Sequence, residues 1–214
     1  MLEIQTFCFN AFGENTYVVY GADKNAIVID PGNSTPKENN RLFSFIDSNG
    51  LKIIKIIDTH AHIDHIIGNK ALKERYGADI AAHPDTSADF ATARQQLLMF
   101  GFDCQIDIAK PDVALNDGDT FTLGDDMIEI IATPGHARGS ISLFAPVTGV
   151  VFTGDALFCR SIGRTDFPGG SYEQLRTSIR ERLFTLPDDT TIFSGHGECS
   201  SIGEEKDFNP YVAI

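Results

Sequence analysis

The sequence predicts one layered domain of mixed structure, of the α/β or α+β type, spanning residues 1–214. Short β-rich runs alternate with capped helical stretches along the whole chain, and a 42% apolar composition is enough to fill a core. Nothing that reads as a linker separates two halves. Two strand pairs also share a plan, NTYVVY with NAIVID ending at Asp30 and SISLFAP with GVVFTGD ending at Asp155, although their identity is too weak to establish a duplication.

The elements follow in order. NTYVVY and NAIVID, separated by GADK, read as a hairpin that ends at Asp30-Pro31-Gly32. A helix is expected from Thr35, an N-cap followed by Pro36 at the first helical position and Glu38 placed for a capping box, with Leu42, Phe45 and Ile46 apolar and Asn49-Gly50 as its stop. LKIIKIID is so continuous in isoleucine that it predicts a strand buried on both faces. After THAHIDH, the run GNKALKERYG predicts a short helix closed by Gly77, ADIAAHP a strand, and SADFATARQQLLMF a helix carrying Phe90, Leu97 and Leu98. MIEIIAT, SISLFAP and GVVFTGD read as strands. SYEQLRTSIRERLF reads as a helix with Ser171 and Gln174 as a capping box and Leu175, Ile179 and Leu183 on one face. TTIFSGHG supplies the last strand and its loop.

Charge and composition limit the function. Thirty acidic residues against 17 basic ones give a formal net charge of -13, which repels phosphate backbones and makes nucleic acid an unexpected partner. The opening MLEIQTFCFNAFG has no basic stretch or long apolar run, and nothing later approaches the roughly 18 apolar residues of a membrane span. The four cysteines, at 8, 104, 159 and 199, form no CxxC pair and read as reduced thiols. A cytoplasmic protein that needs no membrane is the expectation.

Chemistry concentrates in THAHIDHIIG, Thr59 to Gly68, which holds three of the six histidines. In an extended segment residues two apart point the same way, so His60 and His62 present two imidazoles on one side, and Asp64 and His65 turn toward the following helix. A single tetrahedral ion seldom takes four ligands from six consecutive residues, so this crowding suits two neighbouring ions. Further ligand types stand just after predicted strands: His136 in TPGHARGS, Asp155 in VFTGDALF and His196 in FSGHGE. Asp58 is a candidate either for orienting a ligating histidine or for capping a strand end. His83 reads as a turn histidine and Cys159 as a buried structural thiol.

HAHIDH, the isolated His136, Asp155 and His196, in that order, resemble the metallo-β-lactamase fold superfamily. Within it, GRTDFPGG (163–170) and SIGEEKDFNP (201–210) are similar to the glyoxalase II-like branch of hydroxyacylglutathione hydrolases. The resemblance covers nearly the whole chain. It implies an αββα four-layer sandwich, a variety of α+β fold, with a dinuclear site at one edge of two sheets. It also implies that His60, His62 and His136 hold one ion, that Asp64, His65 and His196 hold the other, and that Asp155 bridges. Two departures stand out. Longer members carry a C-terminal helical domain that helps to hold glutathione, whereas this sequence ends at Ile214, so a compact form with weak tripeptide contacts is expected; Met99 to Phe102 (MFGF), or a neighbouring subunit, is the candidate replacement wall. Ala137-Arg138 stands where many relatives have threonine or serine, and Arg138 is expected in solvent.

The expected chemistry is hydrolysis of a small-molecule thioester. Two divalent cations, zinc first with iron or manganese compatible with the same donors, lower the pKa of water toward neutrality and stabilise an acyl oxyanion. Asp64 is expected to orient the water or take its proton, and Asp155 to set the spacing of the ions. Arg164 and Asp166 are candidates for an ion pair that fixes the GRTDFPGG loop. Three alternatives accompany this reading: a persulfide dioxygenase with one iron on His60, His136 and Asp155; a lactone or β-lactam hydrolase; and a non-catalytic metal-binding sensor.

Overall fold

The computed structural model describes residues 1–102 and 105–212. Cys104 therefore lies outside the described residues, and Cys8, Cys159 and Cys199 are free thiols. Cys159 is half-buried, not enclosed as expected, because it stands in the short turn of a surface ribbon.

Two six-stranded sheets organise the chain. The first is ordered β1 (Glu3–Phe9), β2 (Glu14–Tyr20), β3 (Asn25–Ile29), β4 (Lys52–Ile57), β5 (Ile80–Ala82) and β6 (Val113–Ala114). The second is ordered β7 (Thr120–Leu123), β8 (Asp126–Ala132), β9 (Ile141–Ala145), β10 (Val150–Gly154), β13 (Thr191–Ser194) and β14 (Ser200–Ser201), and a ribbon of β11 (Leu157–Phe158) and β12 (Ser161–Ile162) lies beside it. The shared plan of the two hairpins is visible here: β2–β3 is antiparallel and β3–β4 parallel, just as β9–β10 is antiparallel and β10–β13 parallel. Asp30 and Asp155 each follow the strand from which the chain crosses to its parallel neighbour.

Alternation along the strands sorts the apolar side chains into layers. Val19, Ile27, Ile29 and Ile57 of the first sheet pack against Ile128, Ile130, Leu143 and Phe152 of the second. The intervening positions Val18, Val28 and Ile56 turn outward, onto Leu42 and Ile46 of α1 (Pro36–Ser48) and Leu72 of α3 (Asn69–Tyr76). On the far side Ile131, Val151 and Ile192 meet Leu175 and Ile179 of α5 (Tyr172–Glu181) and Ile202 of α6 (Ile202–Phe208). The result is the αββα four-layer sandwich. A fourth cluster joins Ile63 and Ile66 of α2 (Ile63–Ile66) to Phe90 and Leu97 of α4 (Ser87–Phe100).

Several local signals act as read. Thr35 and Glu38 form the reciprocal capping box of α1, and Gly77 closes α3 in the left-handed region. At α5 Ser171 accepts from Gln174 N, which is the N-cap half of the expected box. β4 departs from expectation, since Lys52 is exposed and Ile54 and Lys55 are half-buried. The Lys55 ammonium lies over the Phe121 ring, 5.8 Å from its centroid. Residues of SIGEEKDFNP form α6, capped by Ser201. Among the described residues no helix is long and apolar enough to cross a membrane.

Candidate metal centre

The loops that carry the ligand-type residues leave the carboxyl ends of four strands. β4 delivers His60 to His65, β8 delivers His136, β10 delivers Asp155 and β13 delivers His196. The chain bends at Thr59 and His60, and His62 is extended (φ -73°, ψ 145°) as the N-cap residue of the single turn of α2. Ile63 and Ile66 bury that turn, and Gln96 of α4 accepts from Ile63 N at 3.0 Å, so Asp64 and His65 have a fixed direction. The approach of the loops also demands glycine. A Cβ on Gly195 would stand 2.2 Å from Asp155 Oδ1, and one on Gly163 would stand 1.9 Å from the Asp155 carbonyl oxygen.

The seven predicted ligands converge. Polar atoms of His60, His62, His136 and Asp155 lie within 4.8 Å of one another, as do those of Asp64, His65 and His196. Asp155 joins the groups: Oδ1 is 3.4 Å from His65 Nε2, and Oδ2 is 3.5 Å from His136 Nε2 and 3.7 Å from His196 Nε2. Asp64 Oδ2 lies 3.3 Å from His196 Nε2. Ring nitrogens face each other within each group, His136 Nε2 to His62 Nδ1 at 2.9 Å and His65 Nε2 to His196 Nε2 at 3.3 Å.

These residues fit divalent cations, and the hydrogen bonds on the outer side of the rings show why. The acceptors Asp30 Oδ2, Arg164 O and Phe12 O face Nδ1 of His65, His136 and His196 at 3.0, 2.8 and 3.2 Å. None of these oxygens can donate, so each Nδ1 carries the proton and Nε2 turns its lone pair inward. His60 follows the same rule. Thr59 Oγ1 donates to Asp30 and accepts from His60 Nδ1 at 3.1 Å, which leaves His60 Nε2 buried with no hydrogen-bond partner, as is Asp155 Oδ1. Orphaned buried atoms of this kind are costly unless something else satisfies them.

The electrostatics agree. Burial, followed by the like charge of His65, holds His60 well below the ordinary imidazole range, and burial beside His136 pushes His62 down to about 3. Burial also lowers His136. These are neutral, lone-pair-bearing rings. Asp155 is held well below the usual carboxylate range although burial opposes this, because His65 stands beside it; Asp64 is lowered against burial for the same reason. His65 is raised well above its ordinary value against burial, by Asp155 and Asp64, the two carboxylates that face its Nε2.

Other predicted residues fall at various distances from this cluster. Asp58 is buried but accepts from Asn69 Nδ2 at 2.8 Å, not from a histidine. Arg164 and Asp166 form a two-pronged pair, 2.7 Å in each bond, on the exposed surface of the GRTDFPGG loop; it is the Arg164 carbonyl that orients His136. Arg138 is exposed, as expected, and reaches Asp89 at 3.3 Å. His83 caps a 3₁₀ turn by accepting from Asp85 N. Sequence reasoning missed Asp30, which accepts from Thr59 N and Oγ1 at 2.6 Å each and from His65; the equivalence of the hairpin ends at Asp30 and Asp155 was the available signal. It also missed Phe12, Phe158 and Phe167, which with Phe100 of the MFGF segment wall a cavity of about 420 Å³ over the cluster.

An αββα sandwich with two histidine–carboxylate groups joined by an aspartate at the strand ends defines a metallo-hydrolase. The metallo-beta-lactamase superfamily model matches residues 10–196, and the chain belongs to that superfamily. It is 37% identical over 213 residues to the hydroxyacylglutathione hydrolase GloC of Haemophilus influenzae, covering 99% of this chain and 98% of that protein. Among solved structures it is similar to the BLEG-1 B3 metallo-beta-lactamase, with a TM-score of 0.89 at 32% identity over 99% of this chain and 100% of the other. It is also similar to TTHA1623 in a di-iron-bound form, with a TM-score of 0.84 at 30% identity over 97% and 99% of the two chains.

Proposed function

We propose that the protein is a dinuclear metal-dependent hydrolase of glutathione-type or related small-molecule thioesters. The composition of the cavity carries this reading. Among the described residues lining it, every titratable group belongs to the histidine–carboxylate cluster except Arg164. No side chain outside the cluster is placed to protonate a leaving group, and a thiol of parent pKa ~8.5 departs as thiolate without that help, whereas an amine or alkoxide needs it. Divalent ions held by His60, His62 and His136 on one side and Asp64, His65 and His196 on the other, with Asp155 between, would lower the pKa of water and polarise the acyl carbonyl. Zinc is the first expectation, and iron or manganese suits the same donors. Asp64, fixed by His196 and open to the cavity, orients the attacking water and takes its proton. Similarity to GloC along almost the full chain supports the same reaction class.

The test is a panel of thioesters, lactones and a β-lactam assayed on protein purified without chelator, with oxygen uptake on glutathione persulfide and metal analysis beside it. Turnover of thioesters with the other classes inert supports the reading. Oxygen uptake with a single iron per chain would replace it with the dioxygenase, preferential lactone or β-lactam opening with those hydrolases, and metal binding without turnover with a non-catalytic role.

A further inference from the structure

The cavity has a polar floor and aromatic walls. Phe12 is 43% exposed and Phe100 36% exposed, an unusual placement for two large apolar rings unless something covers them. The rings are in series: Phe102 lies 5.6 Å from Phe12, Phe12 is 5.4 Å from Phe100, and Phe100 is 6.2 Å from Phe167. Phe167 in turn meets His62 edge-on at 5.7 Å, so the aromatic wall ends on a ring of the cluster itself. Phe158 stands 6.3 Å from His196. Several different segments supply these phenylalanines: the β1–β2 loop, the end of α4 and the residues just after it, β11, and the GRTDFPGG loop.

Charge points the same way. The cationic lining residue outside the histidines, among those described, is Arg164. Its guanidinium is already spent, bound by both oxygens of Asp166 and stacked 3.9 Å from the Phe167 centroid. A chain of net charge -13 that offers no other lysine or arginine in the cavity is poorly matched to a polyanionic carrier. A substrate that reaches the cluster must pass among four phenyl rings, and the group that gains most there is itself apolar, with aryl groups gaining further from edge-to-face contact.

Resting on the thioesterase reading, we propose that the substrate carries an apolar aryl or alkyl group next to the reacting carbonyl, seated against Phe12, Phe100 and Phe167. The walls then select the substrate and the floor performs the hydrolysis. Such a group could sit on the acyl or on the thiol side, and the two sources are separable by experiment.

The protein as purified is assayed with N-acetylcysteamine thioesters bearing lactoyl, butyryl or phenylacetyl groups, and with acetyl thioesters of N-acetylcysteamine and of thiobenzyl alcohol. At least one apolar series should exceed its polar counterpart tenfold or more in kcat/KM, and Phe100→Ala and Phe167→Ala should each bring that ratio down by threefold or more. Ratios at or below one in both series would overturn the proposal. A second measurement does not depend on turnover: calorimetric binding of the S-phenethyl and S-hydroxyethyl thioethers of N-acetylcysteamine. If no thioester is hydrolysed, the thioesterase reading fails; a tenfold tighter phenethyl thioether would still uphold the apolar preference of the cavity, and equal binding would overturn it.

Discussion

Asp30 accepts a 3.0 Å hydrogen bond from His65 Nδ1 while its other contacts, from Thr59 N and Oγ1 at 2.6 Å, tie it to the loop that carries His60. One buried carboxylate thus orients rings in both ligand groups, directly through His65 and through Thr59 for His60. It does so from a left-handed backbone conformation, φ +49°, that aspartate and asparagine tolerate better than most residues.

The first prediction follows from that bond. Asp30→Asn keeps the shape and the backbone conformation but offers His65 an uncharged partner in place of a carboxylate. Metal affinity should fall by about 10- to 100-fold, the usual cost of losing such a partner, while far-ultraviolet circular dichroism stays unchanged. Competition with a chromogenic chelator measures it. His83→Ala, remote from the cluster, should bind metal like the unmodified protein; unaltered affinity in Asp30→Asn would remove Asp30 from the orienting role.

Stoichiometry tests the two groups separately. Protein purified without chelator should carry close to two ions per chain, and Asp64→Ala should retain about one, because Asp64 faces His65 and His196 but belongs to no set with His62 and His136. Inductively coupled plasma analysis of both proteins decides this. A single iron in the unmodified protein, unchanged in Asp64→Ala, would favour the mononuclear alternative.

Asp155 is expected to matter most for rate. Its oxygens lie within 3.7 Å of ring nitrogens in both groups, so Asp155→Ala removes the link between them and the largest electrostatic contribution to the site. Thioester hydrolysis should fall by more than about a thousandfold. Equal activity of Asp155→Ala and His83→Ala would show that the ligand assignment is wrong.

The extent to which this centre was legible depends on whether a feature is local. HAHIDH sits within six residues, and strand-end positions marked His136, Asp155 and His196, so all seven candidates were visible in the sequence and the fold does bring them together. Helix ends were equally legible, since Thr35, Glu38 and Gly77 act through neighbours along the chain. Asp58 shows the opposite case. Being next to the motif in sequence made it a candidate, yet parallel pairing of β3 with β4 brings Asp30 under the histidines instead, and Asp58 turns to Asn69. Phe12 and Phe167, 155 positions apart, meet around Phe100 only after both sheets are assembled, and no spacing rule points to such an encounter.

Glu38 supplies a pH-dependent prediction away from the ligands. Burial would raise its pKa, but Asn10 N donates to Oε1 at 2.7 Å and Ser34 donates to Oε2, and together with Thr35 they hold it below the usual carboxylate value. A carboxyl depressed on folding contributes stability above its unfolded pKa, about 4.3, and loses it as pH falls through the lower folded value. Glu38→Gln should therefore lower Tm by a few degrees at pH 7, as expected for a capping interaction of about 1 kcal/mol, and the difference should shrink toward zero as pH falls below the folded value. A constant difference across that range, followed by circular dichroism, would show that the charge of Glu38 plays no part.

The last prediction concerns the thiol carrier. Glutathione is distinguished from other thiols by a charged tripeptide with two carboxylates, and free cations are among the strongest donors that could hold them. Arg164 is committed to Asp166, Arg160 is committed to Glu204 and Glu205, and the cavity has phenylalanines where a tripeptide site would need donors. Binding energy from that remote part of the substrate should then be small, and energy of this kind is what lowers the barrier for a full-length substrate relative to a truncated one. S-lactoylglutathione should be hydrolysed with a high KM. Its kcat/KM should lie within about tenfold of that for a lactoyl thioester of a small neutral thiol, a difference of about 1.4 kcal/mol in transition-state binding. Comparing the acyl group at constant identity keeps this separate from the aromatic preference of the walls. A glutathione preference above about a hundredfold, or about 2.7 kcal/mol, would mean that donors outside the cavity walls hold the tripeptide.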